Sequence, residues 1–241
     1  MIRAIYNWTL IAISTIFFGI TASLVCFFAP GVVLRFVVRP WAKSILKICG
    51  VKVEVDGLEN LPSEPVVIMF NHQSYFDIFA YASVLPIDWR AIMKAELVWI
   101  PFFGWVAKAT GHHFIKRESS IKSLREIEGI ADKIRNGPSV VLAPEGTRSA
   151  DGKLMPFKPG GFLLAIRSGV PVVPMVVMGG SRIMPSGSLR VYPGTIRVMI
   201  LPPIDVGELP QGKEGREALS TMVRESMENV LGNESTVSEA V

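Results

Sequence analysis

Cysteine, histidine and charge are all scarce in this chain of 241 residues, which has two cysteines, three histidines and 19% charged residues. Cys26 and Cys49 build no disulfide framework and read as small apolar side chains. Three histidines without a spaced set of partner ligands argue against zinc, so no metal is expected. Neither Gly-x-Gly-x-x-Gly nor Gly-x-x-x-x-Gly-Lys-[Ser/Thr] occurs, which sets nucleotide binding aside. The Gly-x-Ser-x-Gly elbow is missing too, which weakens a serine-hydrolase reading. There is no internal repeat and no low-complexity tract. The net charge of +4 suits an anionic surface. Without an aromatic-and-basic RNA-reading motif, a membrane is the expected partner and nucleic acid is not.

Charge disappears entirely between Arg3 and Arg35, and Ile5 to Ala29 is almost wholly apolar. About 20 such residues suffice to cross a bilayer. The apolar region of a cleaved signal peptide is shorter, at roughly 7–15 residues. Val25 is too large to precede a lipoprotein cysteine at Cys26. The absence of a polar face argues against a buried helix of a soluble protein. Pro30-Gly31 ends or turns the helix. Arg35, Arg39, Lys43 and Lys47 follow, so the main body is expected on the cytoplasmic side of the inner membrane. A single span and a shallow two-helix hairpin both fit, and Gly19 permits either.

Beyond this segment, short apolar runs alternate with helical stretches. Strands are expected at 51–56, 65–70, 89–93, 112–116, 139–143, 171–178 and 195–201. A helix is expected from Ser74. Ile121, Leu124, Ile127, Ile130 and Ile134 repeat at 3.6 residues and predict a helix over 119–136, closed by Asn136-Gly137-Pro138. Residues 213–231 make a further amphipathic helix, followed by a polar tail expected to fray. The fold expected is α/β, a mostly parallel sheet covered by helices with an N-terminal membrane-embedded segment. Residues 1–49 form that segment and a basic connection, 50–210 the α/β domain, and 211–241 the C-terminal helix and tail.

The chemistry gathers at strand ends. Asn71-His72-Gln73-Ser74-Tyr75-Phe76-Asp77 follows the apolar run Pro65 to Phe70. On one continuous helix, five residues would place Asp77 about 140° from His72. The two meet only if His72 lies in the loop and the helix starts after it, as the capping pattern Ser74-x-x-Asp77 allows. His72 is then a candidate general base and Asp77 its orienting partner. The alternative is a capping Asp77 and an ordinary loop histidine.

A second loop, Pro144-Glu145-Gly146-Thr147-Arg148-Ser149, suits an anion. Gly146 permits close approach, Thr147 offers a hydroxyl, and Arg148 grips phosphate with two parallel bonds. Lys153 and Lys158 enlarge the positive field. Glu145 is out of place there, and either anchors the loop or faces an acceptor hydroxyl. Lys116 and Arg117 close another strand and add two cations, while His112 and His113 point to opposite faces. Lys94, a further candidate substrate contact, leads into an aromatic stretch with Trp99, Pro101 and Phe102 that suits the headgroup level, an acyl groove or plain core packing.

Together these segments resemble the glycerolipid acyltransferase family, most closely its bacterial 1-acylglycerol-3-phosphate branch. Four blocks match in order: Asn71-His72-Gln73-Ser74-x-x-Asp77, Gly111 to Arg117, Pro144 to Ser149, and Val170-Pro171-Val172-Val173-Pro174. Lys94-x-Glu96-Leu97 with Pro101 and Gly104 is a further match. The resemblance implies acyl transfer from acyl-carrier protein or acyl-coenzyme A to the 2-hydroxyl of lysophosphatidic acid, giving phosphatidic acid without a cofactor. It implies His72 as base, Asp77 as its partner, and Arg148, Gly146, Thr147 and Arg117 at the acceptor phosphate. Pro171 and Pro174 would shape the wall. Lys116 and Ala143 depart from the family's usual residues near the headgroup. The alternatives are glycerol 3-phosphate or a lyso-ornithine lipid as acceptor, or a membrane-bound hydrolase.

Overall fold

The computed structural model describes residues 2–101, 103–115 and 121–238. Seven strands form one sheet: β1 (Val51–Asp56), β2 (Val67–Phe70), β3 (Trp89–Lys94), β4 (His113–Ile115), β5 (Ser139–Leu142), β6 (Val172–Met178) and β7 (Gly194–Ile200). Their order is β1-β7-β6-β2-β5-β3-β4. All neighbouring pairs are parallel except β6 and β7. The sheet is therefore mostly parallel, as expected, with β1 and β7 reversed.

The central strands β2, β5 and β6 are buried along their whole length. This is the expected state of Val/Ile-rich strands covered on both faces. Helices α2 (Arg39–Cys49), α3 (Phe76–Val84) and α7 (Gly180–Ile183) cover one face, against Ile68, Phe70 and Met175. Helices α5 (Ile121–Arg135), α6 (Pro159–Ser168) and α8 (Lys213–Ser238) cover the other, against Val67, Met69 and Val176. Ile127, Ile130 and Ile134 of α5 are buried, as their spacing predicts. The C-terminal helix runs on to Ser238, past the end of its apolar stripe.

Helix α1 (Ile2–Phe28) is long and apolar enough to cross a membrane. It does not stand apart from the domain. Trp8 Nε1 donates to the Leu189 carbonyl at 2.7 Å, Ser14 and Ser44 hydroxyls meet at 2.7 Å, and Trp41 Nε1 donates to Thr15 Oγ1 at 3.2 Å. Near its end Phe18, Ala22 and Val25 pack with Val33, Val37 and the Val106 of α4 (Phe103–Ala109). Pro30 opens a tight helical turn that redirects the chain into α2. The opposite face of α1 is bare, with Ile13, Phe17, Leu24 and Phe27 exposed.

Candidate active site

Asn71 pins the chain as it leaves β2. Its side-chain amide donates to the Val177 carbonyl at 3.0 Å and accepts the Val177 N–H at 2.7 Å, so it extends the sheet by one side chain. His72 follows, outside the helix. Its Nδ1 lies 2.9 Å from Asp77 Oδ2. The same oxygen accepts the N–H groups of Gln73 and Ser74, each at 2.7 Å. The bond to Ser74 is the reverse half of the expected capping pattern, and α3 begins two residues later, at Phe76. Asp77 is wholly buried, and its three bonds to one oxygen hold the carboxylate rigidly. Accepting from Nδ1 leaves Nε2 of His72 as the proton-accepting nitrogen.

Asp77 Oδ1 is buried without a hydrogen-bond partner among the described residues. It lies over the Cα of Gly180, where an added Cβ would come within 2.1 Å of it. Tyr81, also buried, borders this carboxylate. Burial and the Asp77 charge together hold its phenol well above the ordinary range, so it stays protonated.

The loop after β5 closes over His72 from the other side. The His72 N–H donates to Glu145 Oε1 at 2.8 Å, and the Met155 N–H to Glu145 Oε2 at 2.9 Å. Ser149 N–H donates to the His72 carbonyl at 2.7 Å. Glu145 is 2% exposed and both its oxygens are committed to backbone. Of its two expected roles, the one the geometry supplies is the loop anchor. Burial pushes its carboxyl up, while the two backbone bonds pull the other way. Gly146 has φ +71°, and the Lys158 side chain crosses where a Cβ would stand. Thr147 is exposed and Arg148 half-buried. The Arg148 guanidinium carbon sits 3.7 Å from the centre of the Tyr75 ring.

A cavity of about 1330 Å³ opens beside His72. Phe70, Tyr81, Trp89 and His112 line its interior, and Tyr75, Gly146 and Lys158 line it near the loops. Helix α1 contributes a wall through Ile11, Thr15, Phe18 and Ala22. His112 accepts the Ala91 N–H at Nδ1, 2.8 Å away. Burial lowers its pKa to about 3, helped by Arg90 and His113, so it is neutral and no base. His113 is lowered to about 4 by burial, with Lys133 and Arg90 adding to the effect.

The remaining expected residues divide between the cavity and other places. Lys94 reaches the cavity and pairs with Glu96 at 3.5 Å. Pro101 lines it with Leu97 and Ile100, whereas Trp99 is 83% exposed and points away. Pro171 and Pro174 form no wall. The Pro171 carbonyl accepts Val67 N–H, and Pro174 is buried in β6 with its carbonyl taken by Leu201 N–H. Both are held inside the sheet, just where β6 is about to pair with β7 at Met175. Phe102, Lys116 and Arg117 lie outside the described residues. Sequence reasoning missed Tyr75, Gly180 and the wall made by α1. Of these only Tyr75 carried a signal, an aromatic ring inside the His72 loop.

Comparison with known proteins places these features in a family. The Acyltransferase family matches residues 52–178. A chloroplastic 1-acyl-sn-glycerol-3-phosphate acyltransferase of Brassica napus is 40% identical over 173 residues, 70% of this chain and 50% of that protein. The chain thus spans about half the length of this plant relative. A 1-acyl-sn-glycerol-3-phosphate acyltransferase of Pseudomonas aeruginosa is 33% identical over 81% of this chain and 78% of its own. The crystal structure of the 1-acyl-sn-glycerophosphate acyltransferase PlsC of Thermotoga maritima superposes with a TM-score of 0.78, at 26% identity and 95% coverage of both chains. With a matched region that takes in the His72–Asp77 pair, the Glu145–Arg148 loop and the strands that carry them, the chain belongs to the Acyltransferase family.

Proposed function

We propose that the protein transfers an acyl chain from a thioester donor, acyl-carrier protein or acyl-coenzyme A, to the 2-hydroxyl of lysophosphatidic acid. The observation that carries this reading is the Asp77-bound imidazole of His72 opening onto an apolar cavity beside Arg148. His72 Nε2 takes the hydroxyl proton as the oxygen attacks the thioester carbonyl carbon. Asp77 stabilises the imidazolium that results. The tetrahedral intermediate collapses, the carbon–sulfur bond breaks, and the departing thiolate takes the proton from His72. Phosphatidic acid and a free thiol leave, and proton and charge balance. Arg148 holds the acceptor phosphate, Lys158 adds positive field, and the apolar cavity takes an acyl chain. An activated donor makes a cofactor unnecessary.

The same reading places the protein on a membrane, with the catalytic domain on the cytoplasmic side. Contacts along α1, from Trp8 to Val25, support a helix lying against the domain and in the bilayer surface over one crossing it. Its exposed face then meets lipid, and its inner face lets an acyl chain pass from lipid into the cavity. Arg39, Lys43, Lys47 and Lys52 line a cleft of about 680 Å³ beside α2, placed to meet anionic headgroups.

The test is an assay of detergent-purified protein with lysophosphatidic acid and each donor, following thiol release. Release should depend on the acceptor, and His72→Ala should lower the rate by about 10²–10⁴-fold. Free fatty acid formed without acceptor would identify a hydrolase. A wild-type rate in His72→Ala would remove the base.

A further inference from the structure

Arg148 would be a poor clamp if its side chain were left to itself. Thr147 beside it is exposed, and a free arginine side chain samples many rotamers. What constrains it is the ring of Tyr75, whose centre is 3.7 Å from the guanidinium carbon. At this separation the guanidinium lies against the ring face. The five N–H donors of arginine point outward in its plane, so contact through the face leaves them available. Arg148 makes no hydrogen bond or ion pair among the described residues. The cation is held while its donors stay free, the condition required for gripping an anion.

The ring itself stands on a fixed base. Tyr75 lies between Ser74, whose N–H binds Asp77 and whose hydroxyl donates to the Met184 carbonyl, and the buried Phe76. Tyr75 is 51% exposed, at the cavity rim. His72 is three residues earlier in the same loop, so their Cα atoms are at most about 11 Å apart. Anion clamp and base are thereby referenced to one short, rigid segment.

We propose that Tyr75 is a positioning residue, which sets the Arg148 guanidinium at a fixed place relative to His72 for a phosphate-bearing acceptor. The inference rests on the reading of Arg148 as the acceptor's clamp. It requires the aromatic face and not the phenol hydroxyl.

The experiment measures kcat and KM for lysophosphatidic acid, for phosphate-free 1-acylglycerol and for the donor, in Tyr75→Phe, Tyr75→Leu, Arg148→Ala and the Tyr75→Leu/Arg148→Ala double variant. Tyr75→Phe should match wild type. Tyr75→Leu should raise the lysophosphatidic acid KM about three- to thirty-fold, the range a cation–π contact supports, with donor KM and kcat within about twofold. Its preference over 1-acylglycerol should narrow by the same factor. In the Arg148→Ala background Tyr75→Leu should add nothing. If Arg148→Ala raises the acceptor KM and Tyr75→Leu does not, the clamp stands and the positioning role is overturned. Full additivity in the double variant, or equal damage from Tyr75→Phe, overturns it as well. An acceptor KM unmoved by Arg148→Ala defeats the clamp itself and this inference with it.

Discussion

Gly180→Ala tests whether the Asp77 carboxylate must stay where it is. The added Cβ would stand 2.1 Å from Asp77 Oδ1, 3.0 Å from the Ser74 Cβ and 3.3 Å from Asp77 Cγ. An ordinary contact needs about 3.5 Å, so something has to move by about 1 Å or more. Asp77 cannot swing aside freely, because its other oxygen accepts three bonds within 2.9 Å and the residue is fully buried. Overpacking of this kind costs about 1–3 kcal/mol. The larger effect falls on the chemistry. A reacting group displaced by about 1 Å loses on the order of 10²-fold in rate. We expect kcat to fall about 100-fold, acceptor KM to change little, and the unfolding temperature to drop by a few degrees. The assay is acceptor-dependent thiol release beside thermal unfolding in the same detergent. Wild-type kcat with wild-type stability would refute the argument that Gly180 keeps Asp77 in place.

Acid should destabilise the fold through two half-buried imidazoles. His112 and His113 have pKa values lowered to about 3 and about 4, below the ordinary histidine value near 6.5, so their contribution is complete above that value and is lost as pH falls toward the folded values. At pH 5.5 each should cost roughly 1 kcal/mol, and His112→Gln should narrow the stability gap between pH 7 and 5.5 by about that amount. An unchanged gap would mean that His112 is charged in the folded protein. For the membrane placement, protease-cleavable tags at the two ends should be cut from the same side of sealed vesicles. Cleavage of the N-terminal tag from the opposite side only would show that α1 crosses.

Each of the seven strands was legible to within two residues at its ends, the central ones because burial on both faces demands unbroken apolar runs such as Val67 to Phe70 and Val172 to Met178, and β1 because its burial alternates. Direction was less legible. The chain from Met178 to Gly194 is long enough for a crossover, and nothing in its composition announces that β7 returns antiparallel to β6. The His72–Asp77 pair could be read because both partners lie in one heptapeptide. Gly180 could not, since its contact with Asp77 spans more than 100 positions and a glycine carries no chemical label. Glu145 was left between two roles for a related reason. A sequence displays a charge but not the two backbone N–H groups that absorb it. Likewise the apolar run of α1 proclaims lipid, and conceals that one flank of the helix closes a cavity.

The sheet order explains why His72 and Arg148 border one crevice. From β2 the chain leaves through α3 on one face and travels to β3, on the far side of β5. From β5 it leaves through α6 on the opposite face and travels to β6, on the far side of β2. Neighbouring strands whose connections part in this way open a crevice at their carboxyl ends. His72 and Arg148 stand in the two loops that border it, and Gly180 stands after β6, the other neighbour of β2. Three adjacent strand ends therefore carry His72, the Gly180 that backs its Asp77 partner, and Arg148. Glu145 and Ser149 tie the β5 loop to the backbone of His72 itself, so any shift in one loop is transmitted to the other. Here the two loops leave strands about 4.8 Å apart and are tied to each other by the Glu145 and Ser149 bonds to His72.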